Sequence, residues 1–147
     1  MALESKKKKV VYEMPVYSRD ADVYILYPKY NTEFDIQYKL YTKISDLCYE
    51  LDNGREIKSE VTILCDGIKS RVDLMVFNKN KEALCGIEVK RFNHEVAGYT
   101  KEHYLNYDNK QNMKYKFFTR LTKIPIIYCF GEQDIKKTIK AIRKYIS

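Results

Sequence analysis

The sequence has no feature that would indicate a secreted or membrane-bound protein. No apolar run approaches the roughly 18–20 residues that a membrane-spanning helix needs. The basic start, MALESKKKK, is not followed by an apolar segment with a cleavage site, so we predict no secretory signal. We therefore expect a cytoplasmic protein without a membrane partner.

Closely spaced cysteine pairs are also missing. The four cysteines form no CxxC pair, and each lies in an apolar run. This pattern is typical of reduced thiols in a cytosolic core, whereas a zinc site or a disulfide framework is the less favoured interpretation. The residues concerned are Cys48, Cys65, Cys85 and Cys129.

Acidic residues are scarce at one end of the chain. Residues 1–100 contain 16 Lys/Arg and 16 Asp/Glu, whereas residues 101–147 contain 11 and 4, which accounts for the whole net charge of +7. Such an asymmetry favours a polyanionic partner, with nucleic acid ahead of a membrane surface. The alternative is a solvated helix face that carries the same charges.

The length of 147 residues fits one domain of ordinary size, preceded by a short segment. Residues 1–30 contain a basic N-terminal arm with a four-lysine run, and then a tyrosine-rich β segment that is predicted to form a hairpin around residues 18–21. Residues 31–147 are predicted to form the main domain.

Hydrophobic periodicity predicts a helix and then a sheet in the first half of this domain. Residues 31–54 have apolar positions at helical spacing, with Thr32 as the N-cap and Asn53-Gly54 as the end. Three strand-like segments with turn signals between them follow, at residues 56–65, 69–78 and 82–92. Turns of this kind predict antiparallel pairing.

The second half is predicted to contain a helix at residues 102–121, a buried strand at 123–131 and a closing helix at 132–147. In the closing helix, isoleucines face inward and lysines and arginine face outward. A crossover helix between the three-strand meander and the last strand implies an α/β fold, with a mixed central sheet flanked by helices.

The second and third strands are apolar on both faces except at three charged positions. Asp73 lies in the second strand, and Glu88 and Lys90 share one face of the third. Hairpin pairing would bring Asp73 close to Glu88, and two buried like charges are costly unless something compensates them. The alternative is an ion pair between Lys90 and one of the acids, without a catalytic role.

A divalent cation would provide that compensation. Hard cations such as Mg²⁺ bind carboxylate and carbonyl oxygens, and a metal-bound water can attack a phosphoryl group. Lys90 is placed to hold that water or the phosphate.

Asp73, fourteen further residues and then Glu88-Val89-Lys90 resemble the metal-binding motif of the PD-(D/E)XK nuclease superfamily. The predicted order of elements over about residues 31–131 is similar to the core of that superfamily. The resemblance implies a restriction-endonuclease-like fold and a bound Mg²⁺ or Mn²⁺. It implies that Asp73, Glu88 and the carbonyl of Val89 bind the metal and that Lys90 is catalytic. Val72 stands where the family often has proline.

Two further features extend the resemblance. Many members add a glutamate from the first helix as a metal ligand, which here is Glu33, with Glu60 on the first strand as a competing candidate. Some branches, exonucleases among them, carry Gln-x-x-x-Tyr on the helix after the third strand, which matches Gln111 to Tyr115. The resemblance makes Gln111 a further catalytic residue, and an exposed helix glutamine is the alternative.

We therefore expect a Mg²⁺-dependent nuclease that acts on DNA more readily than on RNA, with structure selectivity or low sequence specificity. Nucleic-acid contacts are assigned to Lys110, Lys114, Tyr115 and Arg91. Cutting both strands of a duplex would require a homodimer or a partner subunit. The alternatives are a nucleic-acid-binding or assembly module without activity, and a small protein that recruits a partner through its tyrosine-rich segment.

Overall fold

A five-stranded mixed sheet forms the centre of the fold in the computed structural model, which describes residues 10–14, 32–90, 100–106 and 109–147. The strands are β1 (Val10–Glu13), β2 (Glu56–Cys65), β3 (Ile68–Phe77), β4 (Ala83–Lys90) and β5 (Ile126–Phe130). They lie side by side in chain order. The first four are antiparallel to their neighbours, and β5 is parallel to β4. The predicted α/β class with a mixed sheet and flanking helices is confirmed.

The predicted meander agrees closely with β2, β3 and β4. Strand β2 has the predicted bounds, β3 is shifted by one residue, and β4 begins one residue later than predicted. Residues 91 and 92 of the predicted third strand lie outside the described residues. Asp66 and Gly67 join β2 to β3 with φ values of 49° and 80°. Two successive positive φ values are what a two-residue type I′ hairpin turn requires, so the Asp-Gly signal explains this junction.

Helices cover both faces of the sheet. One face packs against α1 (Thr32–Leu51) and α4 (Ile135–Ile146), the latter following a short 3₁₀ turn at Glu132–Asp134. The structure places Thr32 inside α1 as its first residue rather than in front of it. In α4 the isoleucines pack inward as predicted. Its outward residues are exposed, namely Lys136, Lys137, Lys140, Arg143 and Lys144.

The single helix predicted for residues 102–121 is wrong. The structure has two helices, α2 (Lys101–Leu105) and α3 (Lys110–Thr122). Asn109 begins α3 as an N-cap whose side chain accepts a hydrogen bond from the Asn112 N–H at 3.0 Å. The buried Asn112 side chain in turn donates to the Leu105 carbonyl at 3.1 Å. These amide contacts hold the chain in a turn where helical periodicity alone would continue the helix.

Helix α3 covers the second face of the sheet. Tyr115 and Phe118 are buried there against Val61, Val72 and Met75. Because α2 and α3 connect β4 to the parallel β5, they form the crossover that the order of elements predicts.

Residues 10–13 of the tyrosine-rich segment form the edge strand β1, which pairs with the end of β2. The ring of Tyr12 packs edge-on against Phe77, with 5.3 Å between centroids, and also contacts Phe118. The rest of the predicted hairpin lies outside the described residues. So does the boundary at residue 30, and the division into residues 1–30 and 31–147 stays a prediction.

All four cysteines are buried and free, in agreement with the prediction of core thiols. Burial raises the pKa of Cys85 to about 12, so its thiol stays protonated at neutral pH. Within the described part of the chain, every helix is too short or too polar to span a bilayer.

Gly86 leaves room for a side chain from the neighbouring strand. A Cβ at this position would lie 2.6 Å from Ile126 Cδ1 and 3.2 Å from Met75 Cε. We expect Gly86→Ala to lower the free energy of unfolding by about 1–3 kcal/mol through overpacking. Ile126→Val removes the obstructing methyl group. In urea titrations, the double variant should therefore lose at least about 0.5 kcal/mol less free energy of unfolding than the sum of the losses in the two single variants.

Ile127→Val is the matched control for this cycle, because Ile127 packs in the core cluster on the opposite face of the sheet. Its effect should add to that of Gly86→Ala. Equal coupling of Gly86→Ala to both valine substitutions would contradict the steric explanation.

Candidate active site

Strands β3 and β4 separate at Asp73 and Glu88. Their regular pairing runs to Leu74 opposite Ile87. Beyond that pair, the Asp73 N–H donates to Glu88 Oε1 at 3.1 Å, and the Val89 N–H donates to Asp73 Oδ2 at 2.7 Å. Each carboxylate thus binds a backbone N–H of the opposite strand. The expectation that pairing brings these two acids together is confirmed.

The other side of Asp73 is irregular as well. Glu60 lies between the pairs Ser59–Leu74 and Val61–Val72 and has a φ of 54°, a strained value for a residue other than glycine. The Asp73 carbonyl accepts a hydrogen bond from the Gln37 side chain of α1 at 3.4 Å. The N–H and the carbonyl of Asp73 are therefore both hydrogen-bonded to side chains, those of Glu88 and Gln37, instead of to the backbone of a neighbouring strand.

Lys90 is held beside Glu88 on the same face of β4. Its Nζ lies 3.1 Å from Glu88 Oε2, and the two side chains are only 17% and 5% exposed. The same ammonium group lies 5.3 Å from the centroid of the Tyr104 ring in α2, within the range of a cation–π contact. The ion pair that was the alternative interpretation of Lys90 is present, and it places the ammonium at the mouth of the acid pair.

Tyr115 lies behind Glu88. Its hydroxyl is 2.8 Å from Glu88 Oε1 and 2.5 Å from the Arg71 carbonyl. A tyrosine hydroxyl has one proton and can donate fully to only one of these acceptors. The hydroxyl therefore shares its proton between them and holds Glu88 against the backbone of β3.

The surroundings raise the pKa values of both acids. Burial raises the pKa of Glu88, although the Lys90 ammonium and the Tyr115 hydroxyl oppose the shift. Burial also raises the pKa of Asp73 well above its usual value, and the nearby Glu88 and Glu60 raise it further, against the Val89 N–H. Two ionised carboxylates are therefore unfavourable here unless a cation accompanies them.

One open cleft of about 490 Å³ brings together most of the residues singled out in the sequence. Its lining residues are Glu33, Ser70, Arg71, Asp73, Glu88, Val89, Lys90, Lys110, Gln111 and Lys114. Tyr115 lies beneath this cleft as the partner of Glu88, and Arg91 lies outside the described residues. The roles assigned to all these residues stay predictions.

The two candidates for an accessory acid differ in their surroundings. Glu33, at the start of α1, lines the cleft. The carboxylate of Glu60 accepts from Gln37 Nε2 at 3.0 Å and lies 3.3 Å from Arg71 Nε. Glu33 therefore borders the open cleft, whereas Glu60 accepts a hydrogen bond from Gln37, and the choice between the two as accessory acid stays a prediction.

The donor atoms of the cleft suit a hard cation. Carboxylate oxygens of Asp73 and Glu88 lie beside Val89, and Asp73 Oδ1 receives no hydrogen bond from the described residues. Oxygen ligands of this kind are those that Mg²⁺ prefers. Within the described ranges, no group of three or more acidic, histidine or cysteine side chains is arranged to bind a metal. Glu33 lines the same cleft, and its role as a further metal ligand stays a prediction.

Arg71, Gln37 and Tyr104 were not identified as site residues from the sequence. Gln37 interrupts the apolar stripe of α1, and Arg71 precedes Asp73 by two residues on the same strand, so both positions carried a signal. Tyr104 carried none, because its contact with Lys90 depends on how α2 packs against β5.

The acid pair should make the metal-free protein less stable as the pH rises. A raised pKa means that Asp73 holds its proton more tightly in the folded protein than in the unfolded chain. The resulting stabilisation is complete below about pH 4, the pKa of an unfolded Asp, and is lost as the pH rises through the pKa of Asp73 in the folded protein. Asp73→Asn cannot ionise and keeps an oxygen for the Val89 N–H. In EDTA, the free energy of unfolding of Asp73→Asn should exceed that of the wild type at about pH 8. The difference between the two free energies should shrink as the pH falls towards about 4.

Asp46→Asn on the exposed face of α1 provides the control and should show no comparable gap. Urea titrations across the pH range give the measurement. A gap for Asp73→Asn that is independent of pH would contradict the electrostatic origin.

Comparisons of the chain with protein-family models, with curated proteins and with solved structures find no match. The resemblance to the PD-(D/E)XK superfamily accordingly rests on the residues of the motif and on their placement in the cleft.

Proposed function

We propose that the protein is a Mg²⁺-dependent nuclease with a restriction-endonuclease-like core, which hydrolyses phosphodiester bonds in nucleic acid, with DNA favoured over RNA. The observation that carries the proposal is the acid pair. Asp73 and Glu88 meet where two strands separate, beside Lys90 and at the bottom of an open cleft. A structural ion pair would need neither the second acid nor the cleft.

The residues of the cleft divide into three roles in this proposal. Asp73, Glu88 and the Val89 carbonyl would hold Mg²⁺ or Mn²⁺. When bound, this metal would lower the pKa of a coordinated water and stabilise charge on a phosphoryl oxygen. Lys90 orients the nucleophile or the phosphate once its contact with Glu88 opens. Tyr115 and the Asp73 N–H keep Glu88 oriented from behind.

The wall formed by α3 supplies positive charge for the substrate. Lys110 and Lys114 line the cleft with Gln111 between them, which suits contacts to a phosphodiester backbone. Binding that depends on such contacts weakens steeply as salt is added. Cleavage of both strands of a duplex would require a second copy or a partner subunit.

The test is cleavage of single-stranded, duplex and branched DNA in Mg²⁺, Mn²⁺ or EDTA. We expect cutting with either metal, none in EDTA, and a loss of about 10²-fold or more in Asp73→Ala and in Lys90→Ala. Lys136→Ala, on the exposed face of α4, is the control and should retain the wild-type rate.

A second measurement separates metal binding from chemistry. Mg²⁺ should raise the unfolding temperature of the wild type and have little effect on Asp73→Asn, because a ligand stabilises only the state that binds it. DNA binding that persists in EDTA, without cutting under any condition and without stabilisation by metal, would overturn the nuclease assignment. The protein would then be the inactive nucleic-acid-binding module.

A further inference from the structure

A second groove runs along the exposed side of α3. It has a volume of about 660 Å³, larger than the cleft of the acid pair. Its lining residues are Ile68, Lys110, Met113, Lys114, Lys116, Phe117 and Arg120. Lys110 and Lys114 line the acid cleft as well. The two depressions are therefore neighbours that share one basic border, and we call the second one the α3 groove.

The α3 groove exposes apolar surface that the fold does not use. Met113 is 49% exposed, and Ile68, at the tip of the β2–β3 hairpin, is 36% exposed. The partly buried ring of Phe117 also lines the groove, with the Arg120 guanidinium 5.7 Å from its centroid. Flat aromatic and guanidinium groups together with a flexible methionine form a surface on which planar rings can stack.

Charge decides what kind of partner fits this surface. Four of the lining residues are cations, and among the described residues that line the groove none is acidic. Lys114 Nζ donates to the Lys69 carbonyl at 2.9 Å, which bridges α3 to the hairpin and keeps its charge at the border between groove and cleft. The occupant must therefore carry negative charge along its length and present apolar rings.

We propose that the α3 groove binds an unpaired stretch of nucleic acid, continuous with the strand that lies in the acid cleft. A single strand presents phosphates and unstacked bases together, whereas a duplex hides the faces of its bases and offers phosphates alone. From Lys110 to Arg120 the helix extends about 15 Å, which is about four phosphate spacings of a stacked strand. That a nucleic-acid strand lies in the cleft of the acid pair rests on the proposed function. Binding of a single strand to the α3 groove can be measured whether or not the protein cleaves it.

Helix α4 provides a matched comparison. Its exposed face carries Lys136, Lys137, Lys140, Arg143 and Lys144, but it is on the opposite face of the sheet from α3. Positive charge alone would make both helices equivalent for a polyanion. The α3 groove adds exposed apolar residues beside its cations, so the two helices should differ for a ligand with bases.

The test measures the binding of a short fluorescent oligothymidylate in EDTA, which prevents metal-dependent cutting. We expect Lys116→Glu with Arg120→Glu to weaken binding by about tenfold or more and to reduce the salt slope by about 1.4, the value for two lost phosphate contacts with a single strand. Lys137→Glu with Lys140→Glu changes the charge equally and should weaken binding by less than about threefold.

Two further comparisons test the role of the bases. An abasic strand with the same number of phosphates should bind about fivefold or more weakly than oligothymidylate, which corresponds to the loss of about one stacked base. This difference should shrink in Met113→Ala, a substitution at an exposed site. A duplex of the same length should bind more weakly than the single strand.

Equal losses in the α3 and α4 charge variants, equal binding of the abasic strand, tighter binding of the duplex, or no binding of the single strand would each overturn the proposal. Cleavage of DNA with unchanged single-strand affinity in the α3 variants would reject the groove and leave the nuclease assignment intact. Single-strand binding with the expected pattern, without cleavage under any condition, would support the groove and reject the nuclease assignment.

Discussion

Two hydrogen bonds, from the Asp73 N–H to Glu88 and from the Val89 N–H to Asp73, are the constraint on which the rest of the site depends. Each carboxylate takes a backbone N–H that a regular ladder would have given to a carbonyl of the facing strand. The sheet therefore opens without leaving these donors unsatisfied, and the opening is the floor of the cleft. The same arrangement places two acids in one partly buried space, where their charges disfavour each other. Strand separation and the electrostatic cost of the acid pair thus have a single cause.

Both layers of helices contribute to holding the acid pair. From one face, Gln37 of α1 reaches the Asp73 carbonyl and the Glu60 carboxylate. From the other, Tyr115 of α3 reaches Glu88 and the Arg71 carbonyl. Each helix therefore directs one polar side chain at the acid pair, and both side chains end at the same point of the sheet. Buried polar groups that are hydrogen-bonded in this way fix geometry more strictly than apolar packing does.

Much of this could be predicted from the sequence, for reasons that particular residues make clear. Alternation and the Asp66-Gly67 turn specify β2 and β3, and the position of Glu88 in the next strand then places it near Asp73. The break before α3 could not be predicted, because it depends on Asn112 finding the Leu105 carbonyl in the folded protein. The positive φ of Glu60 could not be predicted either, because nothing in the local sequence indicates a left-handed conformation there. The α3 groove could not be predicted either, because its lining depends on which residues the tip of the β2–β3 hairpin leaves exposed beside α3.

The close spacing of Asp73 and Glu88 along the chain has a consequence for the order in which the protein is made. Both acids belong to one hairpin, and hairpins form locally and quickly, whereas the parallel strand β5 must wait for its crossover. On the ribosome the amino-terminal part emerges first. The acids of the cleft can therefore come together before Lys110, Lys114 and the rest of the basic wall have emerged. The nascent chain therefore passes through a stage in which Lys90 and Arg71 are the cations of this cleft, and the wall of α3 is the last part of the cleft to emerge.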